Sequence, residues 1–118
     1  AVIVHDMVNN VQTQELDESF HALAHPARRA IVGRLANGPA TVGEAARGTG
    51  LSKPAISKHL HVLEDAGIVN RVVHGRTHVL SLQTNPLADA VAWIEGQRRL
   101  WERKLDIIDQ FLDEEATS

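Results

Sequence analysis

The chain has 118 residues, a formal net charge of −3, no cysteine and 3% aromatic residues. That is one domain's length, and 43% hydrophobic content supports a packed core without a disulfide or a thiolate metal site. With so few aromatics the core has to come from Ala, Val, Leu and Ile, which favours helix packing.

Residues 1–13 read as a flexible N-terminal arm. Their opening, AVIVHDMVNN, lacks the basic start and long apolar run of a secretory leader. No window approaches the roughly 18 apolar residues of a membrane span. A cytoplasmic chain with no membrane partner is therefore expected. From about Gln14 to Ala24, Leu16, Phe20 and Leu23 fall at i, i+4, i+7, one stripe of an amphipathic helix. His25-Pro26 ends it, because the residue before proline avoids helical backbone, and Pro26 suits the first turn of the next helix. That second helix carries Ala27, Ile31 and Leu35 inward and stops at Asn37-Gly38-Pro39.

Thr41 and Glu44 have the spacing of a capping box, in which each side chain satisfies the other's backbone N–H. The short helix they open runs to about Arg47 and breaks at Gly48-Thr49-Gly50. Ser52 then caps another helix, Lys53 to Ala66, with Pro54 in its first turn and Gly67 after its end. Its buried stripe is Ile56, Leu60 and Leu63. Ile68–Val73 and Thr77–Leu82 read as strands joined through His74-Gly75-Arg76-Thr77, a type II′ hairpin with glycine where φ must be positive. Asn85-Pro86 starts a last helix reaching about Asp113, with 114–118 as a C-terminal tail. Along it Leu87, Val91, Ile94, Trp101, Leu105, Ile108 and Leu112 keep a 4,3 spacing interrupted by Arg98. Ala90, Trp93, Leu100, Ile107 and Phe111 widen the apolar face. So small a domain cannot cover so long a helix alone, and a homodimer is expected.

The element order, ααααβ-βα over residues 14–113, is mainly α with a small β-hairpin and describes a winged helix-turn-helix. Its charge supports a nucleic-acid partner despite the acidic total. Residues 41–84 hold five basic side chains (Arg47, Lys53, Lys58, Arg71, Arg76) against Glu44, Glu64 and Asp65, while residues 85–118 hold four basic against eight acidic. What a DNA surface needs is local positive potential. A helix buried along one stripe leaves Lys53, Ser57, Lys58 and His61, with Ala55 near its start, free to enter a major groove. Its N-terminus favours a phosphate near Ser52 and Lys53. His74 and Arg76 on the hairpin tip, and Thr41 and Arg47 at the ends of the short helix, complete the candidate contacts with double-stranded DNA.

The segment LSKPAISKHLHVLEDAGIVNRVVHGRTHVLSL, with Ser52, Ser57, His59, Leu60 and Leu63 ahead of a Gly-tipped hairpin, resembles the recognition helix and wing of the ArsR/SmtB family of bacterial regulators. The Leu-Ala-His-Pro-x-Arg-Arg run from Leu23 resembles the same family's opening helices, and the resemblance covers about residues 16–112. It implies a dimeric repressor bound to a pseudo-palindromic operator and released by an inducer. The family pairs through its first and last helices, here through Leu16, Phe20 and Leu23 with Val91, Ile94, Trp101, Leu105, Ile108 and Leu112. Many members sense metals through cysteines in the first helix of the motif or Asp, His and Glu ligands on the last. This chain has ThrValGlyGluAlaAlaArg in the former place, and its last helix has Asp89 but no histidine. The family's usual metal sites are thus missing, the inducer is unidentified, and no cofactor or metal is expected.

Two other readings stand beside this one. One is a protein-interaction adaptor built on the winged helix. The other is a metal-responsive repressor using histidines: His5, His21 and His25 lie near the start, His59 and His61 are two apart on a helix, and His74 and His78 flank the hairpin tip. Nothing points to an enzyme, for there is no Ser/His/Asp order, phosphate-binding glycine loop or inward carboxylate pair.

Overall fold

The computed structural model describes residues 2–117, with side chains from Gln12 to Ala116. In chain order the elements are α1 (Val2–Leu23), α2 (Pro26–Leu35), β1 (Ala40–Thr41), α3 (Val42–Ala46), α4 (Lys53–Asp65), β2 (Val69–His74), β3 (Thr77–Leu82) and α5 (Asn85–Thr117). This is the expected winged helix-turn-helix, with a third strand added.

Apolar side chains from α1 to β3 meet in one core. Ile31 of α2, Leu60 and Leu63 of α4, Ile68 just before β2, and Leu80 of β3 are its largest fully buried members. Around them lie Ala22, Leu35, Ala40, Ala45, Ile56 and Val69. The stripe expected of α4 is the one it buries. On α1, however, the buried described residues are Ser19 and Ala22, and the Leu16–Phe20–Leu23 stripe lies at the edge, with Leu23 packed against the core and Phe20 exposed. Small side chains at i, i+3 let α1 approach closely, while Leu16 and Leu23 are half-buried at the edge and Phe20 faces outward.

The sheet has the order β1-β3-β2, all antiparallel. Two residues, Gly75 and Arg76, separate the strands of the wing, with His74 opposite Thr77. Gly75 has φ +62°, and among the described residues no non-glycine has positive φ, so the turn is type II′ rather than I′. Strand β1, too short to show a period of two, pairs Ala40 with Leu80 and Thr41 with Val79. It thereby ties the start of α3 to the wing.

Both terminal helices outrun expectation. Helix α1 runs back through the segment read as an arm, since nothing from Val2 to Leu23 is Gly or Pro. Helix α5 continues through the expected tail to Thr117, 33 residues or about 50 Å in all. The chain spans 74 × 42 × 22 Å, with a radius of gyration of 20.3 Å. A compact chain of this length would have about 13–14 Å. The excess lies in the helix ends.

Core burial sets the first expectation. Leu60→Ala should lower the free energy of unfolding by about 2–5 kcal/mol, the usual cost of such a cavity, measured by denaturant titration.

Candidate nucleic-acid interface

Helix α4 owes its position to both polar and apolar contacts. Its start is capped by Ser52, whose hydroxyl oxygen accepts from the Ala55 N–H at 3.3 Å. At mid-helix, His59 meets a junction formed by the Leu-Ala-His-Pro-x-Arg-Arg run. His25 caps α2 by accepting the Ala27 N–H on Nδ1 at 3.0 Å. Arg28, only 8% exposed, donates from Nε to the Ala22 carbonyl at 2.6 Å and from Nη2 to the His21 carbonyl at 2.9 Å. Arg29 donates to the Leu23 carbonyl at 2.9 Å. The last turn of a helix leaves carbonyls without partners, and these two arginines supply donors to those of Ala22 and Leu23 and a second donor to that of His21, which also accepts the Ala24 N–H at 3.1 Å.

From the same guanidinium, Arg28 Nη1 lies 3.1 Å from Nδ1 of His59. Arginine only donates, so this nitrogen accepts and the ring proton sits on Nε2. The rings of His25 and His59 stand 4.3 Å apart. Burial, with His25 and Arg28 adding to it, holds the His59 pKa below its ordinary 6.5. His59 is therefore a neutral joint between α4 and the α1–α2 corner. Charge patterning does not reveal this use of Arg28; for His59 the sequence signal is its place beside the buried stripe of α4, which suits a structural hydrogen bond as well as a DNA contact.

The outer face of α4 is open. Lys53, Ser57, Lys58 and His61 are exposed and Ala55 is half-buried at its start. Arg47, at the C-cap of α3, is exposed, as are His74 and Arg76 at the wing tip. Among the described residues no ion pair engages Arg47, Lys53, Lys58 or Arg76. Arg71 differs. It forms an ion pair with Glu64 of α4 and donates to Nδ1 of His78 at 3.1 Å, bracing the wing against the helix.

Thr41, expected among the DNA contacts, has its hydroxyl engaged in both directions. It accepts the Glu44 N–H at 3.2 Å and donates to Glu44 Oε1 at 3.1 Å. With the Thr41 backbone in β1, the Glu44 carboxylate takes that hydroxyl and an Arg34 guanidinium at 3.5 Å, so only half of the expected capping box forms. A cavity of about 660 Å³ between α1, the end of α4 and α5 has the opposite character. Glu15, Glu18, Asp65 and Asp89 line it with no basic residue, and it would repel phosphate. Among the described residues no three His, Cys, Asp or Glu side chains are grouped to hold a metal ion, and the His5 side chain lies outside them.

Comparison with known proteins agrees with this geometry. A helix-turn-helix domain family model matches residues 23–72, which span α2 to α4 and the first part of β2. The HTH-type transcriptional regulator Rv2034 of Mycobacterium tuberculosis is 41% identical over 100 residues, covering 85% of this chain and 91% of its own. The transcriptional repressor SdpR of Bacillus subtilis is 34% identical over 79 residues, covering 67% and 88%. A crystallised ArsR family transcriptional regulator superposes with a TM-score of 0.72 at 40% identity, over 76% of this chain and 93% of that one. The chain belongs to the ArsR family of winged helix-turn-helix transcriptional regulators. In this ArsR-family regulator the HTH segment and the wing present Arg47, Lys53, Lys58 and Arg76 with no ion pair among the described residues.

The His59 joint has a pH signature. Its folded pKa lies below 6.5, so between the two values the unfolded chain holds more protons and stability rises with pH. The contribution is full above about pH 6.5 and is lost as pH falls through the folded value. Denaturant midpoints should therefore drop between pH 7.5 and 5.5 more steeply in the wild type than in His59→Gln. Equal slopes would remove His59 from the account.

Proposed function

We propose that this chain is a homodimeric repressor that seats α4 in the major groove of a pseudo-palindromic operator. The observation that carries the reading is the set of unpaired cations, Arg47, Lys53, Lys58 and Arg76, around the open face of a helix, in a chain of net charge −3. Lys53, Lys58 and Arg47 meet phosphates. The Ser52 end of the helix adds its partial positive charge, and Ala55, Ser57 and His61 face base edges. His74 and Arg76 bring the wing to the adjoining backbone or minor groove. The name of SdpR, a repressor, supports the sign of regulation. No helix among the described residues is long and apolar enough to cross a membrane, which fits work in the cytoplasm where the operator lies.

Dimerisation draws on α5 and the outer edge of α1. Val91, Ile94, Trp101, Leu105, Ile108 and Leu112 are all exposed in the protomer. Phe20 meets Trp93 edge-on at 5.9 Å, which carries the apolar surface from α5 across to Leu16 on α1. A two-fold pair presents two recognition helices, and half-sites about 34–36 Å apart, one turn of DNA, are the matching target. No thiolate metal site takes part, since the chain has no cysteine.

Binding to an operator selected from random DNA tests the reading, and a protein adaptor would show no sequence-selective binding at moderate salt. Lys58→Ala should weaken operator and random DNA alike and lower the salt slope by about one unit. Ser57→Ala should change sequence preference and leave the slope unaltered. For the dimer, Trp101→Glu with Leu105→Glu should sediment as a folded monomer and lose more than about tenfold in operator affinity, since one half-site remains.

A further inference from the structure

The 4,3 series on α5 is a heptad seam with one polar member. Leu87, Val91, Ile94, Arg98, Trp101, Leu105, Ile108 and Leu112 occupy its a and d positions, and Arg98 is the fourth of these eight. The six apolar positions from Val91 to Leu112 are between 47% and 63% exposed in the protomer. Together they present several hundred Å² per copy, the scale of the roughly 800 Å² per partner in a stable interface. Glu95, Glu102 and Asp109 recur every seven residues beside the d positions, an acidic edge along the seam. Arg98 leans towards that edge, with Nη2 2.7 Å from Glu95 Oε2 and Nε 3.9 Å from Glu102 Oε1, while its side chain remains 63% exposed.

We propose that Arg98 fixes the alignment and the choice of partner when α5 pairs with α5 of a second copy. The inference rests on the homodimer reading above. In the matched pair the Arg98 stem fills the polar layer and its guanidinium reaches the acidic edge of the other helix, keeping every donor paired. A slipped pair would set the guanidinium against Ile94, Trp101 or Leu105, which offer no acceptor, so its donors not taken by Glu95 and Glu102 of its own helix would be desolvated without partners, which is disfavoured. The same logic selects the occupant. A helix without an acidic edge leaves Arg98 only the carboxylates of its own helix and one with a basic edge repels it, whereas a second copy of this chain brings further carboxylates to its remaining donors. Arg98 thus trades some seam stability for a single arrangement.

The full-length chain tests this directly, since its lack of cysteine makes single-cysteine cross-linking along α5 clean. Wild type should give one set of intermolecular cross-links consistent with a single alignment. Arg98→Leu should dimerise at least as tightly yet cross-link in several alignments. Arg98→Glu should raise the dimer dissociation constant at least tenfold, and mixing it with a Glu95→Lys, Glu102→Lys chain should restore association as a heterodimer. Circular dichroism checks that each variant keeps its helices. A wild-type dimer whose Arg98→Leu form keeps one alignment and the same affinity overturns the role of Arg98 alone. A wild type that stays monomeric overturns the homodimer reading and this inference with it.

Discussion

The Arg28 guanidinium lies where α1 ends, α2 begins and α4 passes, and it donates to the His21 and Ala22 carbonyls and to the His59 ring. Leaving the Ala22 carbonyl without a donor in a nearly closed corner would carry the full desolvation penalty of a buried polar group. The same contacts fix the helix that follows in function. Ile56, Leu60 and Leu63 press α4 into the core, but an apolar stripe alone tolerates some sliding and rolling. A charge-assisted bond at His59 is directional, so the roll of α4, and with it the exposure of Lys53, Ser57 and Lys58, is set at this corner. The cost falls on His59, which is kept neutral beside a permanent cation.

That arrangement accounts for how an acidic chain keeps a basic face. Cations with an architectural role are paired or buried: Arg28 in the corner, Arg71 between Glu64 and His78, Arg34 beside Glu44. Among the described residues Arg47, Lys53, Lys58 and Arg76 form no ion pair and gather on α4, at the end of α3 and on the wing tip, whereas Arg99, Arg103 and Lys104, likewise in no ion pair, are interspersed with the acids of α5. Meanwhile the acids lie along α5 and around the cavity between α1 and α5. The sign of the total charge says little about a binding face, because its potential depends on charges within about a Debye length. Pairing decides which cations contribute.

The parts of the fold legible in the sequence are those with chemical punctuation. Pro26, Ser52 with Pro54, Gly67 and the Gly75 turn mark the ends of α2, α4 and the wing, and the structure has them within a residue or two. Helix α1 lacks such marks. Its first half has neither a breaker nor a clean stripe, so the sequence there carries no periodicity from which a helix can be inferred. Strand β1 is two residues long and exists only through its pairing with β3. At the site, exposure of the α4 face follows from its buried stripe and was legible. The diversion of Arg71 and Thr41 was not, because their partners are chosen by the packing of the wing on α4 and of β1 on β3, neither of which has a sequence period.

Helix α5 is where the protomer's own physics is incomplete. Ala90 is its one side chain in the buried core among the described residues, and Leu87 and Trp93 reach the rest of the chain near its start. Beyond Leu100 no described side chain of the helix is buried in the core, and Trp101, Leu105, Ile107, Ile108, Phe111 and Leu112 lie there exposed. Short isolated helices are marginal in water, so a segment of this length gains order chiefly by burying its apolar side. The surplus runs on two stripes: the heptad seam, and beside it Leu100, Ile107 and Phe111. One paired helix covers the first, and covering the second takes another element, for which the exposed edge of α1 at Leu16 and Phe20 is suited. Association through four helices would then complete each protomer's core and set the distance between two recognition helices by the same contacts. Stability of the distal helix and spacing on DNA would rise and fall together.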